Sequence, residues 1–176
     1  MEHFSQIFDN GYTSYFDERK TKLDFEELYN LKYLMIVAEP GYGKTRLFKE
    51  LVLKANESSF KVFFIDTKQI KSSIKESIEK CKVIEPNISE EKLQKKIYFC
   101  NKEDYKLDDK TIICLDALDE LPFSKLYSFF EQVEEFIISN PNVKVFLSCR
   151  VHHINKIEYD LSNIPFEFIT LDKFYG

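Results

Sequence analysis

The segment that most constrains this chain is residues 38–45, which read Ala-Glu-Pro-Gly-Tyr-Gly-Lys-Thr and follow directly on the apolar run Tyr33–Val37. The chain has only four glycines, and two of them, Gly41 and Gly43, lie in this segment. Glycine lets the backbone approach a ligand closely, and successive N–H groups of such a loop can surround a phosphate at the start of a helix. The pattern therefore predicts a β-strand, a phosphate-binding loop and a helix in succession.

Each residue type in this loop has an expected role. Lys44 is expected to reach the terminal phosphates, in catalysis as well as in binding, and Thr45 is expected to bind Mg²⁺. The expected nucleotide-binding residues are Glu39, Pro40, Gly41, Tyr42, Gly43, Lys44, Thr45 and Arg46. A glycine-containing turn before an ordinary helix is the alternative interpretation of the same residues.

Composition limits the class of protein. The 176 residues suit one domain with a hydrophobic core, because 44% of them are hydrophobic. The net charge of -5 argues against a broad surface for nucleic acid, so no direct nucleic-acid partner is expected. A secretory signal pattern and an apolar run of about 18 residues are both missing, so no membrane partner is expected. Four cysteines without C-x-x-C spacing indicate reduced thiols in a cytoplasmic protein.

Alternating apolar and amphipathic segments predict the fold class. The expected strands are residues 31–38, 60–66, 111–116, 143–148 and 165–171. The expected helices are residues 17–29, 44–55, a segment with Ile70, Ile74 and Ile78, a segment beginning near Ser89, and residues 124–139. Strands that alternate with helices predict a parallel five-stranded sheet in a three-layer α/β/α sandwich. Residues 1–30 are expected to be a lead-in that contains a helix, and residues 31–176 the core.

An acidic segment follows the third predicted strand, because residues 115–120 read Leu-Asp-Ala-Leu-Asp-Glu. A carboxylate at the carboxyl end of a buried strand, in the same sheet as the phosphate loop, is placed to hold Mg²⁺, which predicts Asp116 as a metal ligand. Asp119 and Glu120 would then face the γ-phosphate. One of these two catalytic candidates, with Glu120 preferred, is expected to orient or deprotonate the attacking water.

Two other segments bear on the same chemistry. Arg150 ends the fourth predicted strand, where it is expected to approach the γ-phosphate and act in catalysis as a sensor; a surface arginine is the alternative. Residues 101–104 read Asn-Lys-Glu-Asp, which matches the N-K-x-D element by which many GTPases read guanine. In those proteins the element follows the strand of the Mg²⁺-binding acid, whereas here it precedes that strand. A charged turn is therefore expected at these residues, without guanine specificity.

Residues 38–45, residues 115–120 and the Ser-Cys-Arg of residues 148–150 together resemble the NACHT group of STAND signal-transduction NTPases. The first two segments match the Walker A and Walker B motifs of that group, and the resemblance spans roughly residues 31–150. The small residue after the first acid, with Asp-Glu two places later, is its most specific part. The resemblance implies an ASCE-class P-loop NTPase with strand order 5-1-4-3-2. Residues 31–176 would be the NTPase core without the helical lid and winged-helix domain of the family.

The same resemblance implies a function. Such domains bind ATP or ADP with Mg²⁺, hydrolyse ATP slowly as a signalling switch, form homo-oligomers in the full-length protein and act in immune or antiphage defence. Two departures stand out: Ala38 replaces a commoner glycine, and the chain ends before the lid, which is typical of a fragment or a minimal member. The alternatives are an AAA+-like ATPase acting on DNA or protein, a nucleotide-binding adaptor without hydrolysis, and a small-molecule kinase.

Overall fold

A computed structural model describes the main part of the chain. The described residues are 29–37, 51, 54–55, 57–85, 89, 91, 98–116, 120–150 and 166–170. The strands within these ranges are β1 Tyr33–Val37, β2 Lys61–Asp66, β3 Lys82–Val83, β4 Phe99–Cys100, β5 Thr111–Asp116, β6 Lys144–Cys149 and β7 Glu167–Thr170. The helices with described bounds are a 3₁₀-helix at Thr67–Gln69, α1 at Ile74–Glu79 and α2 at Phe123–Ser139.

The described strands form one sheet with the order β3-β4-β2-β5-β6-β1-β7. The strands β1, β2, β5, β6 and β7 run parallel to one another. In contrast, β4 runs antiparallel to β2, and β3 is parallel to β4. The protein is therefore an α/β structure with a mixed, mostly parallel sheet.

This sheet corrects the predicted five-stranded, all-parallel sheet in strand number and direction, because the predicted order 5-1-4-3-2 does not include the short strands β3 and β4. The short strands β3 and β4 extend the sheet beyond β2, whereas the other five strands lie side by side as β7-β1-β6-β5-β2. Each additional strand has only two residues. Two residues are too few to show a hydrophobic period, so the sequence pattern gave no sign of them.

Both faces of the central strands are buried. All six residues of β2 and all six residues of β5 are buried, as expected for parallel strands that are covered on both sides. Alternate strand residues on one face share a core cluster with α1 and α2. The members of this cluster include Phe63, Ile65, Ile113, Leu115, Val145 and Leu147 from the strands, and Ile74, Ile78, Leu126, Phe129, Phe130 and Val133 from the helices.

The helix α2 packs on the sheet through one stripe of side chains. Its buried residues Leu126, Phe129, Phe130 and Val133 are spaced three and four apart, which places them on one side of a helix. Burying a side chain of this size stabilises the fold by about 1.5–3 kcal/mol. The helix ends at Asn140, whose N–H and side-chain amide both donate to the carbonyl of Phe136, at 2.9 and 3.0 Å.

The helix α1 begins later than the sequence predicted. The hydroxyl of Ser73 accepts the N–H of Glu76 at 3.1 Å and so caps the helix, which leaves Ile70 before the helix instead of inside it. The helices predicted at residues 17–29, 44–55 and near Ser89 fall largely outside the described residues. Of these segments the structure describes helical backbone at residues 29, 51, 54, 55 and 91. None of the helices in the described ranges has the length and apolar content that a membrane crossing requires.

Candidate functional site at the carboxyl edge of the sheet

The carboxyl ends of four neighbouring strands meet at one edge of the sheet. Ile36 of β1 pairs with Ser148 of β6, and Asp116 of β5 pairs with Asp66 of β2. The Ser148 hydroxyl donates a hydrogen bond of 2.5 Å to Asp116 Oδ1, which connects the two pairs. We call Asp66, Asp116 and Ser148 the acidic row. The phosphate loop predicted at residues 38–45 begins directly after β1, at this same edge.

Asp116, predicted as a metal ligand, lies inside the acidic row. Its side chain is almost fully buried, with the residue 5% exposed. Burying a carboxylate is costly unless donors or cations surround it, and the Ser148 hydroxyl supplies one donor. Only β6 separates β5 from β1 in the sheet, so Asp116 is two strand spacings, about 10 Å, from the strand that leads into the predicted phosphate loop.

Asp66 was predicted only as the end of a strand, yet it is the neighbour of Asp116. It is fully buried and pairs with Asp116 in the parallel register. Its Oδ1 accepts the N–H of Lys68 at 2.8 Å, which caps the 3₁₀-helix at Thr67–Gln69. Two neighbouring carboxylates repel each other when both are charged, and a nearby cation relieves that repulsion. The signal in the sequence was an acid at the carboxyl end of each of two successive predicted strands, residues 60–66 and 111–116.

Glu120 lies near the acidic row and is held by a lysine. Its Oε2 is 2.9 Å from the Nζ of Lys68. The two side chains are 32% and 46% exposed, so water reaches this ion pair. Because Lys68 follows β2 and Glu120 follows β5, the ion pair connects the segments that leave two adjacent strands.

The structure describes a part of the predicted site. Arg150 follows β6 directly, two residues after Ser148, and is partly buried at the same edge of the sheet. The predicted nucleotide-binding residues 39–46 and the predicted catalytic Asp119 lie outside the described residues. The described edge thus brings together Asp116, Glu120 and Arg150 from the prediction and adds Asp66, Ser148 and Lys68.

The Asn-Lys-Glu-Asp segment lies at the other end of β2. The Asn101 side chain accepts the N–H of Val62 at 2.7 Å and donates to the carbonyl of Phe60 at 3.1 Å. Val62 precedes Asp66 by four residues, which corresponds to about 13 Å along a strand. Asn101 therefore joins the end of β4 to the beginning of β2, far from the acidic row.

The donor atoms at the carboxyl edge suit a hard cation. Two carboxylates and a hydroxyl offer oxygen ligands, which Mg²⁺ prefers. Among the residues that the structure describes, no group of three or more His, Cys, Asp or Glu side chains could hold a metal ion by itself. Mg²⁺ commonly binds one or two carboxylates together with the phosphates of a nucleotide, so the donors present at Asp66 and Asp116 fit that mode.

The four cysteines lie in the sheet or directly beside it. All four are free and buried. Burial, and then the neighbouring charge of Asp116, raise the pKa of Cys114 well above its ordinary value. Burial also raises the pKa of Cys100 to about 11. Since the thiolate is the reactive form of cysteine, these two residues do not have the character of nucleophiles at neutral pH.

Comparison with known proteins finds no protein-family model and no curated protein that matches this chain.

Proposed function

We propose that this chain is the nucleotide-binding core of a NACHT-like P-loop NTPase, which binds ATP or ADP with Mg²⁺ and hydrolyses ATP slowly. The observation that carries the proposal is the position of Asp116. This buried carboxylate is held by Ser148 at the end of β5, at the same edge of the sheet where β1 leads into the Gly-Lys-Thr segment. A phosphate loop and an acid at the ends of parallel strands in one sheet are the two parts that nucleotide–Mg²⁺ binding requires.

Different residues bind the phosphates and the cation in this proposal. The backbone of residues 38–45 and the side chain of Lys44 bind the phosphates, and Thr45 and Asp116 hold the cation. When bound, Mg²⁺ neutralises negative charge on the phosphates. Ser148 fixes one oxygen of Asp116, so the direction of the carboxylate is set before the nucleotide binds.

Glu120 performs the chemical step in this proposal. A water molecule attacks the γ-phosphorus, its proton passes to Glu120, and the bond from phosphorus to the β–γ bridging oxygen breaks to release ADP and phosphate. Asp119, next to Glu120 in the chain, is the second candidate for this role. Arg150 follows β6, which lies between β1 and β5, and it contacts the γ-phosphate as a sensor of the nucleotide state.

The biological role rests on the resemblance to the NACHT group. In that role, slow hydrolysis resets a signalling switch, the full-length protein forms homo-oligomers, and the response belongs to immune or antiphage defence. The position of Asn101 supports an adenine nucleotide over the guanine-reading alternative, because its side chain is engaged with Val62 and Phe60 at the opposite end of β2.

The first test is nucleotide binding by the whole chain. Fluorescent analogues of ATP, ADP and GTP are titrated in the presence of Mg²⁺ into the wild type and the Lys44→Ala variant. We expect Lys44→Ala to abolish binding, and removal of Mg²⁺ with EDTA to weaken the binding of the ATP analogue. Lys54→Ala is the matched control, since Lys54 is an exposed lysine further along the chain. Equal binding by the wild type and Lys44→Ala, or no binding by a folded wild type, would contradict the proposal.

A further inference from the structure

The ion pair between Lys68 and Glu120 points to a device that regulates the proposed site. We propose that Lys68 is a positioning residue that restrains Glu120 and thereby keeps ATP turnover slow. The inference rests on the proposed function, because it concerns the residue that would activate water. Its geometric basis is the distance of 2.9 Å between Lys68 Nζ and Glu120 Oε2, which joins two segments at the carboxyl edge of the sheet.

A restraint follows from what a general base needs. A glutamate in ordinary surroundings is already ionised at neutral pH, so a lysine is not needed to remove its proton. A base must instead direct a carboxylate oxygen at the proton that it accepts, within about 2.6–3.2 Å. Lys68 contacts Oε2 of Glu120 and favours one direction of the carboxylate, so contact with this lysine competes at that oxygen with contact with water.

The restraint is connected to the acidic row through the backbone of Lys68. The N–H of Lys68 donates to Asp66 Oδ1 at 2.8 Å, and Asp66 pairs with Asp116 in the sheet. The same residue thus contacts the acidic row with its backbone and Glu120 with its side chain. A cation held at Asp116 would act on the neighbouring Asp66 carboxylate, which caps the segment that carries Lys68. We therefore expect binding of nucleotide and Mg²⁺ to influence the contact between Lys68 and Glu120.

The exposure of the Lys68–Glu120 ion pair limits how much the restraint can change ATP turnover. Lys68 and Glu120 are 46% and 32% exposed, and an ion pair in contact with water shifts an equilibrium by about two- to fivefold. The restraint is therefore weak enough for a ligand to release it. We expect a change in turnover of the same size when the lysine is removed.

The experiment compares two substitutions of Lys68 in the whole chain. ATP hydrolysis and the affinity for the fluorescent ATP analogue are measured for the wild type, Lys68→Met and Lys68→Arg. We expect Lys68→Met to raise kcat by about two- to fivefold at unchanged nucleotide affinity, whereas Lys68→Arg keeps the cation and the wild-type rate. Lys71→Met is the matched control, because Lys71 is an exposed lysine three residues further along the chain.

A double variant separates this role from a merely structural one. In the Glu120→Gln background, Lys68→Met is expected to leave the residual rate unchanged, because the lysine acts through the glutamate. If Lys68→Met binds nucleotide normally but its kcat is equal to or below that of the wild type, the inference is overturned while the proposed function stands. Binding and hydrolysis that are equal in the wild type and Lys44→Ala would overturn the proposed function, and this inference with it.

Discussion

The hydroxyl of Ser148 lies 2.5 Å from Asp116 Oδ1, so a side chain of β6 holds the buried carboxylate of its neighbour β5. Both residues are buried, with Ser148 fully inaccessible to water. A hydrogen bond to a charged group in such surroundings is stronger than a bond between neutral groups. The same hydrogen bond thus stabilises the sheet and orients the carboxylate of Asp116, the predicted metal ligand.

Replacement of Ser148 by alanine tests this link. We expect Ser148→Ala to lower the free energy of unfolding by about 1–3 kcal/mol, because a buried carboxylate oxygen loses the hydrogen bond from Ser148. The same variant is expected to bind nucleotide–Mg²⁺ more weakly. Urea denaturation and nucleotide titration measure the two effects. The control is Ser77→Ala, which removes a bond of 3.0 Å to the neutral carbonyl of Ser73; a loss of stability no larger than that of the control would count against the link.

The catalytic role proposed for Glu120 predicts that binding and hydrolysis respond differently to its substitution. Glu120→Gln keeps the size of the side chain but cannot accept a proton, so we expect ATP binding to persist and hydrolysis to be blocked down to a small residual rate. Titration of the ATP analogue and release of phosphate measure these properties separately. The matched substitution is Asp119→Asn. Undiminished phosphate release by Glu120→Gln, with a loss in Asp119→Asn, would move the catalytic role to Asp119.

The position of Asn101 predicts a large effect on stability and none on base selectivity. Asn101→Ala leaves the N–H of Val62 and the carbonyl of Phe60 without this side chain, so we expect a loss of about 2–4 kcal/mol in the free energy of unfolding. Glu103→Ala, at an exposed position of the same segment, is expected to change the free energy of unfolding by less than about 0.5 kcal/mol. Competition between ATP and GTP should be unaltered in Asn101→Ala; a selective change in GTP binding would show that the segment reads the base.

Cysteine burial predicts a loss of stability at alkaline pH. The pKa of Cys100 rises from 9.0 to about 11 in the folded protein because the thiol is buried. Below pH 9 both states keep the proton, whereas at higher pH the unfolded state releases it first. The free energy of unfolding is therefore expected to fall as the pH rises from about 9 to about 11. Burial acts in the same direction on Tyr29, raising its pKa to about 12.

Denaturation at several pH values checks this prediction. Cys100→Ala removes one of the titrating groups, so its stability should decline less steeply with pH than that of the wild type. The comparison uses the change in stability with pH within each protein, so a general cost of the substitution does not affect it. An equally steep decline in Cys100→Ala would show that Cys100 does not contribute.

Hydrophobic pattern was sufficient to locate the five longer strands and α2. Where unbroken apolar runs such as β5 alternate with amphipathic helices along a chain, each run indicates a strand that is buried on both faces. The pattern was insufficient where structure depends on partners that are distant in the sequence. The strand β4 has two residues and is fixed by Asn101, whose bonds reach back to Val62 and Phe60. The hydrophobic period of a short segment does not reveal such distant contacts, so it could not predict β4.

The candidate site was predictable to a different extent. Asp116 was assigned as a ligand because it ends a buried strand after a phosphate-loop motif, and the structure places it in a row with Ser148. Asp66 ends its strand in the same way, but its importance depends on the pairing of β2 with β5. The contact of Lys68 with Glu120 likewise joins segments that only the strand order brings together. Motifs can thus identify the reacting groups, while register and strand order decide which side chains surround them.

The position of β1 in the sheet has a consequence for the synthesis of this protein. β1 emerges from the ribosome before its neighbours in the sheet, β6 and β7, which come much later in the chain. At about 5–20 residues per second, the apolar residues of β1 wait on the order of ten seconds for Val145 to be made. The strand that leads into the predicted phosphate loop is therefore among the last to gain its neighbours in the sheet, and until then its apolar side chains lack the strands that cover them.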